Sequence, residues 1–157
     1  MNGVSIIDAV TGRLKEYYSM NQGRLPFNNT NKLFLTPSGS SWVATQSITF
    51  DRIIPGSDVI SSSAEMGGSR RNKLLSVSEG GGYVWAGTEG YGLFGMSGDT
   101  VINITSSNGL FNDKVNSILV DASGIVGLGH DRGLSMYNLS SGSVRGLSTD
   151  FARSGQC

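Results

Sequence analysis

One histidine, His130, stands in the run "GHDRG" at residues 129–133. Imidazole titrates near physiological pH and serves as a general acid or base when a carboxylate orients it. Two carboxylates offer themselves, Asp131 next in sequence and Glu89 one repeat earlier. The plainer reading starts from Thr45 and Thr88, which fill the same place in earlier copies of the motif. His130 is then a substitution at a loop edge, and its removal should leave stability nearly unchanged, as surface substitutions do. That reading is preferred, so no residue is assigned a catalytic role. A lone histidine does not make a histidine-based zinc site. The single cysteine, Cys157, excludes an internal disulfide and a thiol-based metal site, and no cofactor is implied.

Around His130 lies a set of polar and aromatic groups suited to holding a small polar ligand. Gln46 and Ser47, Glu89 and Tyr91, and His130, Asp131 and Arg132 fall at one class of loop; Asn28 and Asn29, Arg70 and Arg71, and Asn112 and Asp113 fall at another. Aromatic, amide and paired charged groups of this kind match a sugar-like ligand. The candidate ligand-binding residues are Glu89, Tyr91, His130, Asp131, Arg132, Arg70, Arg71, Asn112 and Asp113. Asp121, ahead of "ASG", is expected to cap a turn. The sequons at Asn28, Asn103 and Asn138 carry no argument in a chain with 24 serines.

The elements that must position these loops are written as a repeat. "GSSWVAT" begins at Gly39, "GYVWAGT" at Gly82 and "GIVGLGH" at Gly124, spacings of 43 and 42 residues. Before each runs an alternating apolar stretch, from Lys32, Lys73 and Lys114, with the period of two that marks a strand. After the later two come "GLFGM" from Gly92 and "GLSMYNL" from Gly133, and "GVSIID" from Gly3 matches that position. Each unit reads as strand, Gly turn, strand, polar loop, strand, tight turn, strand. In the last unit the strands are expected at about 115–120, 125–129, 134–138 and 143–147. Four short antiparallel strands repeating every 40 to 45 residues or so are the signature of a β-propeller blade.

The expected fold is therefore all-β: a half blade at 1–22 with a hairpin at about 3–18, blades at about 30–66, 71–106 and 113–148, and a C-terminal strand or tail at 149–157, in a single repeat domain. Trp42 and Trp85 share one register and should fill the space between blades, while Gly127 takes that place in the last unit.

Composition narrows the partners. The 157 residues include 23 Gly, and Leu, Ile, Val and Phe number 40, enough apolar material to fold one domain with a core. Twelve basic residues balance twelve acidic ones with no long run of either sign, which argues against nucleic acid and an anionic membrane surface as partners. Apolar stretches fall far short of the roughly 20 residues of a membrane helix, and the expectation is a soluble, untargeted chain.

The segment "NGLFNDKVNSILVDASGIVGLGHDRGLSMYNL", residues 108–139, resembles the two-component regulator propeller repeat, and "GYVWAGTEGYGL", residues 82–93, follows the same pattern; "GSSWVATQSITF", residues 39–50, is degenerate. The propellers of lyases that cleave streptogramin antibiotics have a similar rhythm, and "IIDAVTGRLKEYY" fits among them. The first resemblance implies a non-enzymatic sensing module of the kind found in extracytoplasmic regions of hybrid histidine kinases that detect glycan fragments. The second implies a lyase or hydrolase using His130. A scaffold for protein interaction is a third reading. The compartment follows from the same choice: periplasmic for part of a sensor, cytoplasmic if these 157 residues are the whole protein.

Closed propellers have about four to eight blades. Three blades and a half are therefore expected either to belong with the remaining blades of a larger protein or to self-associate. The simplest form of the latter is a two-fold dimer in which each C-terminus completes a blade with the partner's N-terminal hairpin. The Tyr91 and His130 loops of both copies would then line the axis.

Overall fold

The structure is a computed structural model and describes residues 3–25, 30–45, 50–54, 56, 61–62 and 73–148. It is all-β. Among the described residues the only helical pieces are two 3-10 turns, Met20–Gln22 and Ser106–Asn108. Asn28, Asn29, Gln46, Ser47, Arg70 and Arg71, together with the expected C-terminal strand at 149–157, lie outside the described residues. The chain divides into two compact units, Met1–Arg71 and Asn72–Cys157.

In the first unit, β1 (Val4–Ile7) and β2 (Leu14–Tyr18) form an antiparallel hairpin with Val4 opposite Tyr18. Its turn is closed by Asp8, whose Oδ1 accepts the N–H groups of Val10 at 2.9 Å and Thr11 at 2.7 Å. Next come β3 (Thr30–Leu35), β4 (Ser41–Thr45), β5 (Phe50–Ile53) and β6 (Ser61–Ser62), hydrogen-bonded in that order. Val4, Tyr18 and Leu25 pack with Val43 and Ile53 of this sheet, joining hairpin and sheet through one apolar cluster. Glu16 pins the hairpin from its edge: it accepts from the Tyr18 hydroxyl and from the Gly56 N–H at 2.9 Å. The Arg24 guanidinium lies over the Tyr18 ring, 4.0 Å from its centroid.

The second unit is two four-stranded antiparallel sheets. One contains β7 (Leu74–Gly80), β8 (Tyr83–Thr88), β9 (Leu93–Ser97) and β10 (Thr100–Ile104); the other contains β11 (Ser117–Val120), β12 (Ile125–Gly129), β13 (Gly133–Asn138) and β14 (Val144–Ser148). In the last sheet every strand begins within about two residues of the position its alternation marks.

Because side chains alternate along a strand, each sheet has two faces. Trp85, Leu93 and Ile104 point from the first sheet toward Val126 and Leu128 of the second, with Leu110 and Val115 from the connecting loop closing the core. Trp85 is fully buried, donates its indole N–H to the Gly80 carbonyl at 3.0 Å, and meets Tyr137 edge-on at 5.9 Å. It therefore lies between sheets, as its register predicts. Gly127, at the equivalent register, is on the opposite side of its sheet from this core: its neighbours Val126 and Leu128 are the buried ones.

Antiparallel order also sorts the loops. The turns at 81–82, 98–99, 121–124 and 139–143 gather at one end of the unit; the connections at 89–92, 105–116 and 130–132 gather at the other.

Candidate functional site

The loop end is stitched together by backbone hydrogen bonds. The Gly92 N–H donates to the Asp113 carbonyl at 2.8 Å, and the Val115 N–H to the Thr88 carbonyl at 2.9 Å. Gly92 has φ +73°, and a Cβ there would collide with the Ile104 carbonyl, so no other residue suits this close approach. Thr88 folds the β8–β9 loop: its hydroxyl accepts the Tyr91 N–H and donates to the Gly92 carbonyl, both at 2.9 Å. Asn103 holds the same loop from β10, its Nδ2 donating to the Tyr91 carbonyl at 2.9 Å and the Leu93 carbonyl at 3.2 Å.

His130 is anchored through both ring nitrogens. Nδ1 lies 2.8 Å from the Lys114 carbonyl and Nε2 2.8 Å from the Ser135 Oγ. A carbonyl only accepts, so Nδ1 carries the proton, and in the neutral ring Nε2 accepts the Ser135 hydroxyl. Ser135 is fully buried and its Oγ accepts the Phe111 N–H at 2.8 Å. The Phe111 ring lies 6.0 Å from the imidazole, centroid to centroid. His130 does sit at the loop edge, directly after β12, but its ring links three chain segments by pairing with both the Lys114 carbonyl and the buried Ser135 hydroxyl, so the expectation that it carries no structural weight is corrected. The carboxylates considered as its orienting partners are engaged elsewhere. Asp131 accepts from Asn116 Nδ2 at 2.7 Å and pairs with Lys114 Nζ at 3.0 Å, and Glu89 pairs with Lys73 Nζ at 3.4 Å.

A serine hydroxyl donating to an imidazole is the arrangement of an activated nucleophile. Here that hydroxyl is fully buried and already takes a backbone N–H, so a substrate carbonyl has no path to it.

The remaining candidates fall on the same loops. Asn112 Oδ1 accepts the Lys114 N–H at 2.8 Å, and the Asp113 carboxylate caps the 3-10 turn by accepting the Ser106 N–H at 2.6 Å and hydroxyl at 3.0 Å. Both acceptors serve their own loop. What faces solvent includes Asp131 with the half-buried Lys114 paired to it, Asn116 beside them, Arg132, Asn112, Glu89 and the partly exposed Tyr91 ring. The Asn116 amide, with Lys114 next, holds the Asp131 carboxyl below the ordinary aspartate range, so it is a fixed anion at neutral pH. Ser135 and Asn116 were not singled out from the sequence. The signal for Ser135 was a polar residue at an inward position of an alternating strand.

At the turn end, Asp121 caps as its position implies. Its Oδ1 accepts the N–H groups of Ile125 at 2.8 Å and Ser123 at 2.9 Å, and these bonds, Ile125 first, lower its pKa. Among the described residues no three metal-ligating side chains come together.

Neither a protein-family model nor a curated protein matches this sequence. Among solved structures, the chain is similar to the extracellular domain of a hybrid two-component system from B. thetaiotaomicron, with TM-score 0.73, 20% identity, and coverage of 99% of this chain and 21% of that one. A second extracellular domain of such a system from the same organism gives TM-score 0.67 and 17% identity over 96% of this chain and 20% of that one. A catalytically inactive virginiamycin B lyase from Staphylococcus aureus, solved with quinupristin, gives TM-score 0.69 and 16% identity over 98% of this chain and 50% of that one. The chain thus spans about a fifth of the length of the sensor domains and half that of the lyase. With the sheet order above, these likenesses establish the fold: an all-β chain of propeller type.

Proposed function

We propose that this chain is a non-enzymatic binding module of a sensor, and that the loop end of its second unit recognises a small polar, sugar-like ligand. The observation that carries this reading is the gathering of Tyr91, Lys114, Asn116, Asp131 and Arg132 on one end, a solvent-facing aromatic beside fixed charges and an amide. Such a surface offers stacking and directional hydrogen bonds, the two interactions a sugar ring uses. The likeness to extracellular domains of two-component systems supports a sensing role, which would place the protein outside the cytoplasm.

The alternative, a lyase or hydrolase with His130 as its acid or base, draws on the likeness to virginiamycin B lyase. It requires Nε2 to leave the Ser135 hydroxyl, and it has no carboxylate behind Nδ1.

Titration calorimetry against a panel of purified oligosaccharides, paired with mass spectrometry of quinupristin incubated with the protein, separates the two. The expected result is saturable binding of a glycan, abolished by joint substitution of Tyr91 and Asp131 to Ala, with quinupristin intact. His130-dependent conversion of quinupristin, or no binding across the panel, would overturn the proposal.

A further inference from the structure

We infer that His130 and Ser135 form an acid-released latch on the loop that carries the candidate ligand groups; its bearing on ligand binding rests on the proposed sensing role. One pair of side chains catches both ends of the segment 111–114. At one end the Phe111 N–H donates to the Ser135 Oγ at 2.8 Å; at the other the Lys114 carbonyl accepts from His130 Nδ1 at 2.8 Å. Asn112 braces the segment from within, its Oδ1 accepting the Lys114 N–H at 2.8 Å. The bond of 2.8 Å between His130 Nε2 and Ser135 Oγ closes the circuit.

The direction of each bond in this circuit is set. Nδ1 faces a carbonyl and carries the proton, so Nε2 of the neutral ring accepts and the Ser135 hydroxyl donates to it. That hydroxyl is fully buried, and among the described residues its partners are the imidazole and the Phe111 N–H alone. Protonation turns Nε2 into a donor aimed at the same oxygen. Oγ has lone pairs for two N–H groups, but its own proton is then left buried with no acceptor, which is penalised. Opening the contact lets water reach the hydroxyl, and the grip on residues 111–114 is lost.

The charged groups around the ring do not offset this. Asp131, next in its own loop, is committed to Lys114 Nζ and Asn116 Nδ2; Asp113, on the caught segment, to the Ser106 N–H and hydroxyl; Glu89, at the same loop end, to Lys73. Lys114 and Arg132 have the same sign as an imidazolium. Of the strands beside the ring, β12 has no ionisable side chain and β13 only Tyr137, which packs on Trp85; Arg145 of β14 stands opposite Met136, on the other face of the sheet from Ser135. The Phe111 ring, tilted by 45° at 6.0 Å, is at the limit of cation–π reach. His130 is the only histidine, so a response confined to the histidine range reports this ring.

Amide exchange of the full nitrogen-15-labelled chain, followed by NMR with the intrinsic pH dependence divided out, tests the latch. It uses no ligand, so failure of the latch and failure of the glycan reading are separable. From about pH 7.5 to about pH 5.5, protection of the Phe111 amide should fall by at least about threefold, while that of Leu128, inside the β12–β13 ladder, stays constant. In Ser135→Ala, which has no hydroxyl to strand, Phe111 protection should be lower at both pH values and equal between them. Constant Phe111 protection in the wild type, an equal fall at Leu128, or a fall of the same size in Ser135→Ala would each overturn the latch. Should Ser135→Ala fail to fold, His130→Gln replaces it: that side chain gains no proton in this range, and a fall in Phe111 protection there would refute the inference equally.

Discussion

Trp85 stands directly opposite Gly95 across the β8–β9 ladder, and a Cβ at Gly95 would lie 2.5 Å from Cζ3 of the indole. In the next sheet the corresponding pair is Gly127 opposite Met136, with the bulk moved to the other strand. These two sheets thus share a large and small pairing, with the large residue on either strand. In the first unit Trp42 stands opposite Arg52, whose guanidinium lies 5.9 Å from the ring centroid.

Gly95→Ala should consequently destabilise the protein by about 1–3 kcal/mol through overpacking, and Trp85→Ala by about 3–5 kcal/mol through the void it leaves. Urea denaturation of each variant checks this. An unchanged midpoint for Gly95→Ala would mean that the indole has room to move.

The His130 and Ser135 link should behave as a coupled pair. Ser135→Ala takes the hydroxyl acceptor from the part-buried Phe111 N–H and should lower stability by about 1 kcal/mol. His130→Ala should also be destabilising. Because the two residues share one hydrogen bond, the double variant should lose less than the sum of the singles. Strict additivity in a double-mutant cycle would show that the bond contributes nothing.

Acid should weaken the protein through its turn carboxylates. The Lys15 ammonium first, then the Thr11 hydrogen bonds, bring Asp8 down to about 2, and the Ile125 and Ser123 bonds lower Asp121. A carboxyl depressed in the folded state stabilises fully above its unfolded pKa, near 3.9, and that contribution disappears as pH falls through the folded value. The melting temperature should therefore drop between about pH 4 and pH 2. Asp8→Asn and Asp121→Asn should each flatten that slope. Identical slopes for wild type and variants would refute the assignment.

Arg132→Ala should weaken ligand binding while leaving the melting temperature unchanged, and Asp131→Ala should weaken it with only a small fall in melting temperature from the lost Lys114 pair and Asn116 bond, because both side chains lie at the exposed loop end. Calorimetry with the glycan that binds best, alongside thermal melts, distinguishes this from a general loss of structure. A large fall in melting temperature would make these residues structural.

Much of this architecture was legible in the residues alone. The 42- to 43-residue spacing of the glycine-led segments, the alternation in "VNSILV" and the turn residues at "DASG" mark strands and turns, because they are local properties of backbone and side chain. The gathering of Tyr91, Asp113 and Asp131 at one end also follows locally, since four antiparallel strands per repeat return every second loop to the same side.

Partner choice was not legible. His130 could have turned toward Asp131, its neighbour; the tertiary structure instead gives it the Lys114 carbonyl and the Ser135 hydroxyl, and gives Asp131 to Lys114 and Asn116. Asp113 likewise turns back to Ser106 rather than outward. Nor could the alternation say which face of β11–β14 is covered: Leu119 and Ile118 are equally apolar, yet only Ile118 packs in the core. Period two fixes that neighbouring residues point to opposite sides. Which side is buried depends on the sheet that stacks against it, and that is settled by contacts between segments far apart in the chain.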